Sequence, residues 1–406
     1  MIIPKKRIEF LDWEFGIFFH FGIRTFCEGA KDWQEVPMPA SMFNPKDLDC
    51  EQWISTIKKA GAKYAVLVCK HHDGFALWPS KYTEYSVASS PWKNGKGDVV
   101  REFCEACNKH DIKVGIYYSP AQFGSKEIQG KEYDDFFINQ ISELLKGYGK
   151  IDYLWFDGCG SENHKYDTER IIGEIRRMQP EILIFNMWDP DTRWVGNETG
   201  LAALNDCPEV NSLAFSVQTE KKDTLDELLF LPAECDCRMR KQWFYSDADK
   251  DTLKSLDALF GFYLNTVGHG ANLLLNIGPD RNGLLLKEDV DRVLELGEKI
   301  RTEFSNPIKS FKDFKREGNT FTVRFDDTVL KYLVIEENLG EGTAVTDYDI
   351  EVFPAEYGVP KAVYRGYNIG HKAICPLNFV SSNGIRLVIK GTREGREINI
   401  KDIKLY

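Results

Sequence analysis

The feature that most constrains this chain is a rhythm in its first three hundred residues. Short apolar runs alternate with segments of helical periodicity. The runs fall at residues 15–21, 64–69, 114–119, 151–156, 182–187, 228–235 and 272–277. A strand that is apolar on both faces has to be covered on both, which is the situation of a parallel sheet wrapped by helices. The intervening segments supply the covers. Cys50, Trp53, Ile54 and Ile57 stand at i, i+3, i+4 and i+7, and Gly61 follows as a stop. Val100, Phe103, Cys104 and Cys107 repeat that spacing; Phe137, Ile141, Leu144 and Leu145 follow it more loosely, and Ile171, Ile172 and Ile175 vary it again. Units of this kind predict a (β/α)8-type barrel, irregular by a helix or two.

The rhythm stops after the helix that ends near Phe304. Asn306-Pro307 breaks it, and strand-like runs follow at 320–325, 329–335, 348–352, 384–390 and 397–405, punctuated by Gly, Asn and Asp. Short alternating strands over about a hundred residues imply an antiparallel β-sandwich. The expected division is therefore a barrel over 1–305 and a sandwich over 306–406. A chain of 406 residues is long enough for both.

Composition excludes several partners. The formal charge of -11, with no basic block against it, argues against nucleic acid and against an anionic membrane surface. No run of eighteen apolar residues occurs, so no spanning helix is expected. The opening MIIPKKRIEF has neither an apolar stretch of signal-peptide length nor a small-residue cleavage site. The expected location is the cytoplasm, or beyond it if a leader has been removed. The ten cysteines are scattered. Cys104 and Cys107 form a CxxC pair on the apolar face of a predicted helix, and Cys235 and Cys237 are spaced as strand neighbours; both read as buried thiols in a reducing compartment.

In a barrel, function collects at the C-terminal ends of the strands. Here those ends carry His20, then Lys70-His71-His72-Asp73, then Tyr117, then Trp155-Phe156-Asp157-Gly158, then Asn186 and Trp188. Asp157 ends a buried run, and has two readings: a working carboxylate, or an Asx cap on the next turn. His71-His72-Asp73 could hold a metal, bind a polar ligand, or form a buried pair. Alternation at a strand end should point the two histidines apart, which disfavours a shared metal.

The segments FFHFG, KHHDGFALWPS, GIYYSP, LWFDG, RWVGNETG and GANLLLNIGPDRNG, taken in order, resemble glycoside hydrolase family 29, the α-L-fucosidases. The resemblance runs the length of the chain and includes the trailing sandwich. It implies a fucosylated oligosaccharide as substrate, with no cofactor and no metal. It implies that Asp157 is the nucleophile, that His20, His71, His72 and Tyr117 bind the sugar, and that Trp155 stands beside the nucleophile. Asp32-Trp33 resembles an acidic-Trp pair in the loop after the first strand, Arg193 an arginine near the acid, and Trp243 an aromatic along the sugar's apolar edge. RWVGNETG and PAECD resemble the subgroup acting on α-1,3/1,4-linked fucose, whose acid/base falls about at Glu198; Glu234 of PAECD is the alternative. Pro120-Ala121-Gln122 departs from the many relatives that have Trp after the tyrosine strand. The implied chemistry is double displacement, which needs a nucleophilic and a proton-donating carboxyl about 5 Å apart.

Overall fold

The computed structural model describes residues 3–30, 38–121, 128–216, 219–354, 356 and 358–406. Its first part contains, in chain order, β1 (Phe15–Phe19), β2 (Tyr64–Lys70), β3 (Lys113–Tyr118), β4 (Tyr153–Phe156), β5 (Leu183–Phe185) and β6 (Arg193–Trp194). A hairpin of β7 (Glu209–Ser216) and β8 (Thr219–Phe230) follows, then β9 (Ala233–Arg238) and β10 (Asn272–Ile277). Eight of these strands pair in parallel in the order β5-β4-β3-β2-β1-β10-β9-β6. A single parallel bridge, Phe185 to Thr192, spans the remaining gap. The result is a nearly closed (β/α)8-like barrel.

Helix α1 (Lys5–Leu11) precedes β1. Outside the barrel lie α2 (Cys50–Ala60), α3 (Val99–Lys109), α4 (Lys131–Gly147), α5 (Thr168–Met178), α6 (Leu256–Thr266) and α7 (Lys287–Glu303). Their starts are set locally. Asp49, Asp98 and Asp167 each accept a backbone N–H three residues on, at the N-termini of α2, α3 and α5. Gly61 ends α2 in the left-handed region, as its position after Ile57 implied. Among the described residues no helix separates β5 from β6, and the β7–β8 hairpin stands where the next would be.

Two sequence expectations need correction. The run 228–235 is not one strand: Pro232 cannot donate to a ladder, so β8 ends at Phe230 and β9 begins at Ala233. Strand β6, at two residues, is too short to produce an apolar run.

The barrel interior is aromatic. Phe10 from α1, Phe18, Tyr64, Tyr153, Trp155 and Phe185 pack there with Val66 and Leu274. Gly16 lies in register with Tyr64, and a Cβ at this position would collide with the tyrosine ring. Glycine therefore lets Tyr64 turn inward across β1. Cys104 and Cys107 are buried under α3, and all ten cysteines are unpaired thiols.

The second part holds β11 (Lys309–Ser310), β12 (Lys315–Glu317), β13 (Thr320–Glu337), β14 (Val345–Val352), β15 (Lys361–Gly366), β16 (Ala373–Thr392) and β17 (Ile400–Leu405). They pair antiparallel in the order β11-β17-β13-β16-β14-β15, with β12 on β13. The expected strands 320–325 and 329–335 are one long strand, β13, with register shifts against β16 at 324/328 and 330/332. These bends let the sandwich fold over a core that includes Phe321, Leu333, Ile350, Leu387 and Ile403. Val334, Ile374 and Tyr406 join the barrel core instead, and the Tyr406 ring meets Phe304 at 5.4 Å.

Candidate active site

A cavity of about 160 Å³ opens at the C-terminal ends of the barrel strands. His20, His71, His72, Tyr117, Trp155, Asp157, Glu198 and Trp243, all singled out in the sequence, line it. Six of them sit on or just beyond β1 to β4, where apolar strand interiors give way to polar ends.

Asp157 follows β4 directly, and both sequence readings hold for it, one per oxygen. Oδ1 accepts the Cys159 backbone N–H at 2.9 Å and closes an Asx turn. Oδ2 accepts the Tyr117 hydroxyl at 2.9 Å and faces His72 Nε2 at 3.4 Å. Burial pushes the carboxyl upward. The His72 imidazole, the Cys159 N–H and His71 outweigh it and hold Asp157 at about 2. Asp157 is thus an anion at any physiological pH.

The histidines are oriented from behind. The Ser119 hydroxyl donates to the Ala121 carbonyl at 3.1 Å, so its oxygen accepts from His72 Nδ1–H at 2.6 Å. His20 Nδ1 meets Asn276 Oδ1 at 2.7 Å. The Asn276 amide donates to the Trp243 carbonyl at 2.8 Å, which fixes its oxygen toward the histidine. His20 therefore donates through Nδ1 and keeps Nε2 as an acceptor. Burial, reinforced by the His71 charge, lowers its pKa well below the usual value, so the ring is neutral.

The expectation that His71 and His72 diverge is wrong. Strand β2 ends at Lys70, and the next residues turn, with Asp73 Oδ1 accepting the Phe75 N–H at 2.8 Å. Off the strand, alternation no longer applies. Both rings reach the cavity with centroids 4.3 Å apart, and His71 stacks on Tyr117 at 5.6 Å.

Glu198 follows β6 on a loop, its side chain 27% exposed. Burial raises its carboxyl; an Arg238 guanidinium nitrogen 3.6 Å away pulls it back, and the Asp157 charge pushes it up again. Burial prevails and the net direction is upward. Trp243 stands close by, 4.8 Å from the His20 ring and 5.1 Å from the Arg238 guanidinium.

Glu234 and Arg193 do not reach the cavity. Glu234 is fully buried inside the barrel, one layer down. Its oxygens accept from Tyr64 (2.6 Å), Tyr153 (3.1 Å) and the Trp155 indole (2.8 Å). Arg193 donates to Asp206 at 2.7 Å and to the Cys207 carbonyl at 3.0 Å, away from the cavity. The arginine beside Glu198 is Arg238. Asp32 and Trp33 lie outside the described residues, as does Gln122.

Among the cavity-lining residues that the sequence reading did not single out are Arg24, Trp194, Phe215 and Asp236; Arg238 does not line the cavity but touches the site through Glu198 and Trp243. For Asp236 and Arg238 a signal existed. Strand alternation from Glu234 puts both on the inward face of β9. Phe215 had none, because it arrives on the hairpin.

Two carboxyls whose pKa values are pushed in opposite directions at the mouth of a parallel barrel suit a glycoside hydrolase, and fold and site point to that class. The chain belongs to the α-L-fucosidases, glycoside hydrolase family 29: the family model described as Alpha-L-fucosidase matches residues 5–303. Alpha-L-fucosidase 1 of Arabidopsis thaliana is 32% identical over 440 residues, spanning 97% of this chain and 86% of that one. The crystal structure of a glycoside hydrolase 29 family member from an unknown rumen bacterium is 30% identical. It superposes with a TM-score of 0.90, covering all of this chain and 77% of that one. A Ruminococcus gnavus family 29 fucosidase, solved in complex with fucose, is 25% identical with a TM-score of 0.86, over all of this chain and 95% of its own.

Proposed function

We propose that this α-L-fucosidase is a retaining enzyme that releases terminal α-1,3/1,4-linked fucose from oligosaccharides or glycoconjugates. The observation that carries the reading is the opposite tuning of Asp157 and Glu198 around one cavity. Asp157, kept ionised, attacks the anomeric carbon and forms a fucosyl-enzyme. Glu198, biased toward its protonated form, gives its proton to the departing oxygen and then takes one from water. Tyr117 and His72 hold the nucleophile in place; the neutral His20 offers an acceptor to a sugar hydroxyl. The commitment of the Glu234 oxygens to donors inside the barrel supports Glu198 over Glu234 as the acid.

The linkage preference is supported by the RWVGNETG and PAECD segments, and by the aromatic side chains of Phe215 and Trp243 that line the cavity. A second sugar resting on those side chains contributes binding energy in the transition state. Kinetics on a Lewis trisaccharide, an α-1,2 fucoside and 4-nitrophenyl fucoside test it; the trisaccharide should show the highest kcat/KM, and equal values would overturn the preference. Trapping with 2-fluoro-fucosyl fluoride should label Asp157, and a label on any other peptide would overturn the nucleophile.

A further inference from the structure

The cavity contains a third carboxyl. Asp236 lies on β9, 5% exposed, two residues beyond the buried Glu234 and two before Arg238. Its Oδ1 accepts the Trp194 indole N–H at 2.7 Å. Among the described residues the carboxyl meets, besides that indole, its own backbone N–H, and Asp236 lines the cavity. One oxygen is thus anchored by the indole, and the carboxyl faces whatever fills the space.

We infer that Asp236 is a substrate-binding group of this site, whose Oδ2 engages a ring hydroxyl of the fucosyl unit. The inference rests on the fucosidase reading and deepens it. Depth decides which part of the substrate is met. Asp236 stands two residues nearer the C-terminal end of β9 than Glu234, which with its tyrosines closes the barrel beneath. Only the terminal sugar reaches that level; the rest of the glycan stays near Glu198 and the rim.

The state of the carboxyl follows from its surroundings. Burial drives its pKa well above the ordinary value, and the neighbouring Glu198 charge adds to that. In its protonated form, which burial favours, Asp236 carries its proton on the oxygen that the indole does not occupy. It therefore presents an O–H donor, and it places no second fixed charge beside the Asp157 anion. An unpaired buried polar group is expensive, so a sugar lacking the matching hydroxyl leaves this donor unsatisfied and is rejected.

The experiment is a set of double-mutant cycles: 4-nitrophenyl α-L-fucoside and its 2-, 3- and 4-deoxy analogues, each with the parent enzyme and with Asp236→Ala. On the parent glycoside, losing one such hydrogen bond should lower kcat/KM by roughly 10- to 100-fold. With one deoxy analogue the variant should lose little more, because the partner hydroxyl is already gone. Asp236→Asn, which can accept the indole and donate an amide proton, should keep most of the activity. Losses that add independently with all three analogues would overturn the inference, and so would a defect confined to oligosaccharides. An Asn variant as impaired as the Ala variant would show that the site uses a negative charge, and would overturn it equally. Should Asp236→Ala not fold, Asp236→Ser carries the same cycles. A parent enzyme inactive on every fucoside would instead defeat the fucosidase reading itself.

Discussion

Asp157 and Glu234 are both carboxyls on barrel strands, and their neighbours give them different work. Asp157 has one oxygen on a backbone N–H and the other facing a tyrosine, a histidine and open space. Glu234 has three aromatic donors and no opening, and burial lifts its pKa to about 7. The contrast predicts how the two glutamates, Glu198 and Glu234, differ on substitution. Glu198→Ala should cost ~10²–10⁴-fold on a natural glycan with its poor leaving group, and much less in the first step of an activated aryl fucoside. Added azide, which needs no base and can enter the vacated space, should restore its turnover. Glu234→Ala should leave the buried Tyr64 hydroxyl and Trp155 indole without this acceptor, while Tyr153 keeps Thr192, and so loosen Trp155 and Tyr64, lower stability and raise KM, with no rescue by azide. Rescue of the Glu234 variant and not the Glu198 variant would reverse the two roles.

At the scale of one strand, β2 ends unusually. Its ladder with β3 shifts register between Val68 and Lys70, which sends the Lys70 side chain outward beneath α4. The ammonium lies 4.2 Å from the Tyr118 ring centroid, has no hydrogen-bond partner among the described residues, and is fully buried. Burial lowers its pKa from 10.5 to about 7, against the opposing charge of Asp73. Between those values the unfolded chain binds more protons than the folded one, so folding gains stability as pH rises through that window. Lys70→Met should therefore be more stable than the parent below about pH 7, with an upper bound of roughly 5 kcal/mol at ~1.4 kcal/mol per pKa unit. The gap should narrow toward about pH 10. Denaturant unfolding of both proteins across that range checks it, and a pH-independent gap would refute it.

Elements also mark where the sequence was legible. Strands β1 to β4 and β10 were plain because each is apolar on both faces, and so His20, His71, His72, Tyr117 and Asp157 could be found at their ends. Strand β6 was invisible, and with it went the facing of Arg193: two residues carry no period. The divergence assigned to His71 and His72 failed because β2 stops at Lys70, before either histidine. Glu198 could be named only by resemblance, since a loop glutamate has no pattern of its own. Asp236 was hidden in plain alternation, overshadowed by the glutamate two residues before it.

At the scale of the molecule, the sandwich reaches the active site through the hairpin. Glu209, at the start of β7, receives Arg396 in a two-pronged ion pair and the Thr343 backbone N–H at 3.0 Å. Arg393 donates to the Cys207 sulfur at 2.9 Å, and Asn368 to the Asp206 carbonyl at 2.9 Å. At the other end of β7, Phe215 lines the cavity, its ring against Gly158 beside Asp157. Arg396→Met should accordingly lower kcat/KM on oligosaccharides several-fold while the aryl fucoside is turned over nearly as before. Equal effects on both substrates would mean that the hairpin root does not govern the rim.

The barrel's missing helices carry a consequence of their own. Asp157 and the cavity histidines come from the strand ends, whereas Glu198 stands on the loop after β6 and Phe215 arrives on a ribbon inserted between β6 and β9 and tethered from outside. Lengthening, shortening or exchanging that ribbon leaves the strand-end chemistry untouched. Which glycans are accepted is therefore open to change by grafting one hairpin, and lineages that share this floor can diversify in diet without reinventing the reaction.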